Sequence, residues 1–234
     1  MKAITKREFK AYFTSPIGYV FIAVILALYG YYFFQVLMLH SSSFISSVYA
    51  TMFVWGMMFI PILTMRTFSE EMKNKTDQAL LTAPVGVTAI AAGKFLASFA
   101  VFAIAMTATL IPVLIIGFFS APSWPVILGN YLGSLLYGAA MIAIGTYISS
   151  LTQSQLVAAI STFGISILLL VIDQLTSLVT DDFTVKIINW LSFTTRYQPF
   201  TKGILSISSI VFFLSKWDLN MRIILYRNTF SWHS

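Results

Sequence analysis

The chain has 234 residues, of which 58% are hydrophobic and only 9% charged, with a mean hydropathy of +0.86 and a formal net charge of +6. A soluble domain carries about 25% charged residues, so this composition excludes an ordinary soluble globule and points to an integral membrane protein of about six spans joined by short loops. It leaves no room for a soluble catalytic domain of ~100 residues, and the absence of cysteine excludes disulfides, thiolate metal sites and cysteine nucleophiles.

Met1 to Thr14 interleaves Lys2, Lys6, Arg7 and Lys10 with apolar and aromatic residues. Helical spacing places Phe9, Tyr12 and Phe13 on one side, the pattern of a helix lying in the membrane interface, and Ser15-Pro16 ends it, because proline disfavours helix at the residue before it. The apolar run Ile17 to Leu39 exceeds the apolar core of a signal peptide and reads as an uncleaved first span. His40 to Ser43 then makes an outside turn. The second span covers Val48 to Met65, with Pro61 near its inner end, where it removes a backbone hydrogen bond.

The third span runs from Thr88 to Phe119. Lys94 is placed to snorkel to the head groups, and Pro112 to kink the outer half. After a turn over Ser120 to Pro125, the fourth span covers Val126 to Ser149. It contains Gly129-x-x-x-Gly133 and Ser134-x-x-x-Gly138, spacings that let helices approach closely. They serve packing within the chain or a seam between two copies, and the former is favoured. Ser150 to Gln155 is an uncharged inside turn, and the fifth span runs from Leu156 to Leu178, with Asp173 in its outer half read as a hydrated structural acid.

Residues 179–202 form the longest outside segment, with a short helix suggested by Ile187, Ile188, Trp190 and Leu191 resting on the outer leaflet. Pro199 and Gly203 mark the entry to the sixth span, whose end has two readings. It stops near Trp217, leaving Lys216, Asp218 and Arg222 among the head groups and 216–234 as a cytoplasmic tail. Alternatively it continues to Tyr226 and carries Lys216 near the bilayer centre, at roughly 2.5–3.5 kcal/mol per charge. The first reading is favoured. With the N-terminus cytoplasmic, only Lys186, Arg196 and Lys202 of the fourteen basic residues fall outside, a bias that places both termini in the cytoplasm. The basic residues adjoin apolar runs, so they orient spans and meet anionic lipid rather than nucleic acid.

Chemistry-bearing motifs are missing. The chain has no Gly-x-x-x-x-Gly-Lys-Ser/Thr loop, no His-Glu-x-x-His and no Gly-x-Ser-x-Gly. His40 and His233 lie near opposite ends of the sequence, so no metal site is expected. The expectation is a protein that catalyses no reaction of its own.

The one dense cluster of charge is Met65 to Val85, MRTFSEEMKNKTDQALLTAPV, between the second and third spans. Thr67-x-x-Glu70 has capping-box spacing. Glu70 and Glu71 then fall in a first helical turn and Lys73 and Lys75 in the last, the order that complements a helix dipole. Glu71 and Lys75 stand at i, i+4, and Asn74 or Lys75 ends the turn. Thr76 can cap a second short helix carrying Asp77, Leu80 and Leu81, stopped by Pro84. Two capped helices under the membrane suggest a docking surface rather than a plain connection.

This stretch resembles the first cytoplasmic loop of ABC-2 type permeases, in particular the branch associated with gliding motility and nitrous-oxide-reductase maturation. Gly145-Thr-Tyr-Ile-Ser-Ser-Leu-Thr-Gln-Ser-Gln-Leu-Val-Ala-Ala159, the opening Lys6-Arg7-Glu8-Phe9-Lys10-Ala-Tyr-Phe-Thr-Ser-Pro16 and Phe200-Thr-Lys-Gly203 are similar to further family segments. The resemblance implies an all-α integral membrane protein, a single transmembrane domain over 1–234. It would have six transmembrane helices, an N-terminal interfacial elbow helix (1–15), cytoplasmic coupling helices (66–84) and a short outside helix before the sixth span, in the manner of type V exporters. It implies the permease subunit of an exporter in a bacterial or archaeal cytoplasmic membrane. Such a subunit pairs with a second permease copy or relative and with ABC ATPase subunits that bind ATP and Mg, and admits an auxiliary envelope protein. Glu70, Glu71, Thr76, Asp77, Leu80 and Leu81 would lie in the coupling region that docks into the ATPase, and Lys6, Arg7 and Glu8 in the elbow helix. Gly129, Gly133 and Gly138 are candidate helix-packing positions. The C-terminal SKWDLNMRIILYRNTFSWHS departs from the family, which continues its last span with apolar residues. The competing reading is a non-transporting membrane scaffold or accessory subunit of a cell-surface assembly.

Overall fold

The computed structural model describes residues 2–38, 44–75, 86–117, 123–175 and 192–230. Among these, the chain is built from helices: α1 (Lys2–Thr14), α2 (Pro16–Met38), α3 (Phe44–Thr64), α4 (Ser69–Asn74), α5 (Val87–Ala108), α6 (Leu110–Gly117), α7 (Trp124–Ser149), α8 (Gln155–Leu175), α9 (Phe193–Thr201) and α10 (Ile207–Phe230).

Local chemistry explains most of the boundaries. Ser15 separates α1 from α2, which opens on Pro16, a position where a missing N–H costs nothing. The third span is broken at Thr109, three residues ahead of Pro112. Pro112 cannot donate to the Ala108 carbonyl, and its ring crowds that carbonyl; the expected kink therefore appears as a break. Helix α7 starts on Trp124 and Pro125, which the sequence reading had assigned to the preceding turn. Helix α9 is capped by Ser192, whose hydroxyl accepts from the Thr195 amide at 2.9 Å.

Five stretches are long and apolar enough to cross a membrane: Pro16–Gln35, Ser47–Asn74, Thr88–Ile115, Trp124–Ser149 and Gln155–Ile172. The all-helical build and these stretches make this an all-α integral membrane protein. Helix α10 has the length of a span, with 24 residues, but carries Lys216, Asp218 and Arg222. Its start departs from the favoured reading: it begins at Ile207 rather than near Pro199, and its helical backbone continues through Trp217 to Phe230. The start is displaced because Pro199 belongs to α9 and Gly203 turns the chain with φ +74°, a left-handed conformation open chiefly to glycine. No proline or glycine interrupts the helix thereafter, and Asp218 pairs with Arg222 one turn on at 2.8 Å.

Helix α7 is the axis of the bundle, packed by α3, α5, α8, α9 and α10. Its small residues make that possible. A Cβ on Gly138 would lie within 2.6 Å of the Phe102 ring of α5, and one on Gly133 would lie 2.7 Å from the Phe200 side chain of α9. At Gly129 it would lie 2.8 Å from the Phe200 carbonyl oxygen. All three glycines admit neighbours from the same chain. Around them, Tyr137 meets Phe53 and Tyr197 edge-on, with ring centroids 4.8 and 5.5 Å away. Phe53 and Tyr197 stack at 4.6 Å.

Helix α9 is therefore not a surface helix. Phe193, Tyr197 and Phe200 are buried, and the Tyr197 hydroxyl shares a 3.1 Å hydrogen bond with Ser134 of α7. The segment dips into the bundle because its aromatic residues fill the space left by Gly129 and Gly133. The surface helix expected around Ile187 to Leu191, the Asp173 side chain, Asp181, Asp182 and Lys186 lie outside the described residues, as does the turn at His40.

Candidate functional site

The charged stretch after α3 folds back as one turn of loop and the short helix α4. Its end matches the sequence reading. Lys75 takes φ 54°, the left-handed C-cap, and its amide reaches the Met72 carbonyl. Its start does not. The Thr67 hydroxyl donates to the Thr64 carbonyl at 2.7 Å, and the N-cap residue, Phe68, offers no side-chain cap. The expected Thr67–Glu70 box fails because a carbonyl one turn back competes for the hydroxyl. The cap comes instead from another helix. Ser149, the last residue of α7, accepts from the Phe68 and Ser69 amides at 3.1 and 3.2 Å and donates to the Met65 carbonyl at 3.0 Å. One hydroxyl thus ties the start of α4 to the end of α7. The two backbones approach there because Gly145 lacks a Cβ; one would lie 2.8 Å from the Thr64 Cβ.

The acidic pair of α4 divides its work. Glu70 forms the i, i+4 pair with Arg66 at 3.0 Å and is 40% exposed. Glu71 turns inward. Its Oε2 lies 2.9 Å from Lys94 Nζ on α5, and its Oε1 lies 3.0 Å from Arg7 on α1. Neither contact is the Glu71–Lys75 pair that sequence spacing suggests. Lys94 is the most deeply placed charge of the site, 1% exposed. It also donates to the Thr67 carbonyl at 2.7 Å, lies 3.5 Å from Glu8, and sits 5.2 Å from the centre of the Phe68 ring. The snorkelling lysine of the sequence reading is corrected to a buried hub. It points into the bundle because Gly93 lets α1 approach so closely that a Cβ there would meet Ile4 at 2.9 Å, which brings Glu8 within reach.

Arg7 completes the group, contacting Glu8 at 2.6 Å. Two cations, Arg7 and Lys94, face two anions, Glu8 and Glu71, so the quartet is neutral where water is scarce. The hydrogen bond that Arg7 donates to Glu8 lifts the guanidinium above its ordinary pKa against the opposing effect of burial, so the cation persists at any working pH. A second anchor lies beside it. The buried Tyr12 hydroxyl donates to the Leu63 carbonyl at 2.8 Å and shares a 2.8 Å hydrogen bond with Ser98. Burial pushes its pKa up, which keeps the donor protonated. Arg66 lies 5.5 Å from the centre of the Tyr12 ring and donates to Ser15 at 2.6 Å.

The arrangement joins α1, α3, α4, α5 and α7 at one end of the bundle. Glu70, Glu71, Arg7 and Glu8 stand in it together. Lys6 is exposed on α1, away from the ion pairs. Thr76, Asp77, Leu80 and Leu81, with the second short helix expected of them, lie outside the described residues. Gly129 and Gly133 belong to the opposite half of α7. Sequence reasoning missed Lys94, Ser149 and Tyr12. The available hint was the small-residue run around Lys94, with Gly93, Ala97 and Ser98, which admits a close neighbour. Among the described residues, no three His, Asp or Glu side chains gather to hold a metal ion. What the site can do is mechanical: a push on α4 reaches α5 and α1 through charge-assisted hydrogen bonds, and α7 through Ser149.

No curated protein matches the chain. A family model described as ABC-2 family transporter protein matches residues 35–226. That match runs from the end of α2 to within α10, covers most of the chain and includes the charged stretch, α4 and Lys94. This multi-pass membrane protein belongs to the ABC-2 transporter family, as a permease subunit.

Proposed function

We propose that the chain exports its substrate, driven by ATP hydrolysed with Mg in separate ABC ATPase subunits, with α4 as the element through which ATPase closure moves the spans. The 2.9 Å contact between Glu71 and Lys94 carries this reading. It makes the loop after α3 mechanically continuous with the third span instead of a solvated connection. The face left open to a partner is Glu70, Lys73 and Asn74 of α4 with its C-cap Lys75; the family resemblance adds Thr76, Asp77, Leu80 and Leu81 to the docking region. Lys6, Arg7 and Glu8 form the elbow, which braces α4 from the side. The excess of basic residues at this end orients it toward the cytoplasm of a bacterial or archaeal cell. A second permease copy completes the passage.

Glu70 is the residue with which to test docking, because its reversal spares the buried quartet. Glu70 is 40% exposed, its pair with the part-buried Arg66 contributes about 1 kcal/mol or less, and Arg66 keeps its contacts to Ser15 and Tyr12. Glu70→Lys should insert and melt like the parent while recovering less ATPase on co-purification and losing stimulated turnover. Unchanged ATPase recovery and transport would refute docking through α4. Recovery of other envelope proteins with no P-loop ATPase would support the scaffold reading instead.

A further inference from the structure

A cleft of about 570 Å³ opens beside α4, between it and the turn that joins α7 to α8. Met65 and Lys73 line one side, and Gln153, Ser154, Gln155 and Leu156 line the other. The two walls are pinned at a common base. Ser149 holds the Phe68 and Ser69 amides and the Met65 carbonyl, and the turn starts at the next residue. The turn is itself held. The Ser150 hydroxyl donates to the Tyr147 carbonyl at 2.6 Å, and the Leu151 amide donates to the Ile148 carbonyl at 2.9 Å. The Ser154 carbonyl then accepts from the Ala158 amide at 3.0 Å and starts α8. The cleft is therefore preformed, and filling it costs little further ordering. Its chemistry is left open. At this end of the bundle Glu8, Glu70 and Glu71 are engaged by Arg7, Arg66 and Lys94. Lys73 is exposed and has no carboxylate partner among the described residues. Neither Gln153 nor Gln155 has a side-chain hydrogen bond among them, and Leu156 is 68% exposed.

We infer that this cleft receives an acidic side chain of the docking ATPase, held by Lys73, with the segment that carries it lying along Gln153 and Gln155 and an apolar neighbour covering Leu156. Charge complementarity selects the acid, because an ammonium group with no carboxylate of its own gains a charge-assisted hydrogen bond. The carboxamides select a peptide over a bare anion, since each both donates and accepts, as a peptide backbone does. This assignment depends on ATPase docking at α4 and gives that docking a second wall, the turn after α7. Glu70 does not line the cleft, so its contact and that of Lys73 can be tested apart.

The test uses the full chain purified with its ABC ATPase subunit and treated with a carbodiimide, which joins a lysine amine to a carboxylate in contact with it. Peptide mass spectrometry should find Lys73 joined to an Asp or Glu of the ATPase. Lys73→Glu, at an exposed position that leaves the fold intact, should weaken ATPase binding by about fivefold or more. Changing the crosslinked acid to lysine should restore it. Lys73→Arg should keep binding, and Gln153→Ala should weaken it by about twofold or more. Loss of the ATPase in Glu70→Lys with full binding in Lys73→Glu overturns this assignment and leaves docking at α4 standing. Full binding in both variants removes the docking itself and the assignment with it. A crosslink from Lys73 to a second copy of this chain overturns the assignment to the ATPase. So does anionic lipid lost from Lys73→Gln while ATPase binding is unchanged, which would mark a headgroup site.

Discussion

Replacing Lys94 by methionine keeps the side chain's length and apolar stem while removing its charge. In the native protein, Arg7 and Lys94 balance Glu8 and Glu71. In Lys94→Met the quartet carries a net negative charge, with Arg7 alone facing both carboxylates, and the Thr67 carbonyl loses a 2.7 Å donor. Lys94 is 1% exposed and Glu71 18%, so water cannot fully replace the lost partner. Removing one member of a buried pair costs about 3–5 kcal/mol, and an orphaned carbonyl accounts for about 1–3 kcal/mol of that. For a chain of this size, a loss of 3 kcal/mol lowers the melting temperature by roughly 6–12 °C. Glu71→Gln alone leaves a net positive charge and should also destabilise. The double variant restores neutrality, so it should be more stable than the sum of the two single losses by about 1 kcal/mol or more. Thermal unfolding of purified chain in detergent measures all four corners of the cycle. Single losses below about 0.5 kcal/mol, or strict additivity, would refute the claim that α4 is joined to the third span through this pair.

Other positions report on neighbouring links. Ser149→Ala removes the cap that α7 lends to α4 and should cost about 0.5–2 kcal/mol; hydrogen exchange should speed up at the Phe68 and Ser69 amides first, and unchanged exchange there would remove Ser149 from the linkage. Gly138→Ala drives a Cβ into the Phe102 ring and should cost about 1–3 kcal/mol, with Phe102→Leu in the same chain recovering part of it; a loss unaffected by Phe102→Leu would show that the strain lies elsewhere. Asp218→Asn breaks an ion pair whose partners are both more than half exposed and should shift stability by about 0.5 kcal/mol or less. A larger loss on thermal unfolding would place that turn of α10 in a drier environment than its exposure suggests.

The parts of this fold that were legible in sequence are those decided within a turn or two of the residue concerned. Apolar run length located the five spans, Ser15-Pro16 the break after α1, and Lys75 the end of α4. Pro112 announced an interruption, which fell at Thr109 because proline disturbs the turn before it. The failures share one cause, which is competition from a distant partner. Thr67 and Glu70 have the spacing of a box, but the hydroxyl went to Thr64 and the amides to Ser149, eighty residues away. Lys94 has the position of a snorkelling lysine, but Glu8 and Glu71 offered a closer neutralisation than the head groups. Pro199 and Gly203 look like the entry to a span because proline and glycine punctuate helices in general. Here they end a buried helix whose place is set by Phe200 against Gly129 and Gly133.

The same distinction separates the two acids of α4 by role. Sequence gives Glu70 and Glu71 equal standing, adjacent in one first turn. A helix turns about 100° between them, which is enough to leave one on the open face and bury the other against α5. A partner pressing on α4 would therefore meet Glu70, while the displacement would be passed on by Glu71, whose carboxylate holds α1 and α5 at once. Because the bond to α5 is short and buried and the bond to α1 runs through a half-exposed Arg7, the third span should follow α4 more faithfully than the elbow does. Spectroscopic distances from α4 to α5 and from α4 to α1 would then differ in spread between nucleotide states: narrow for α4–α5, broad for α4–α1. The reverse order would place the transmitting contact in the elbow and leave Lys94 a structural residue.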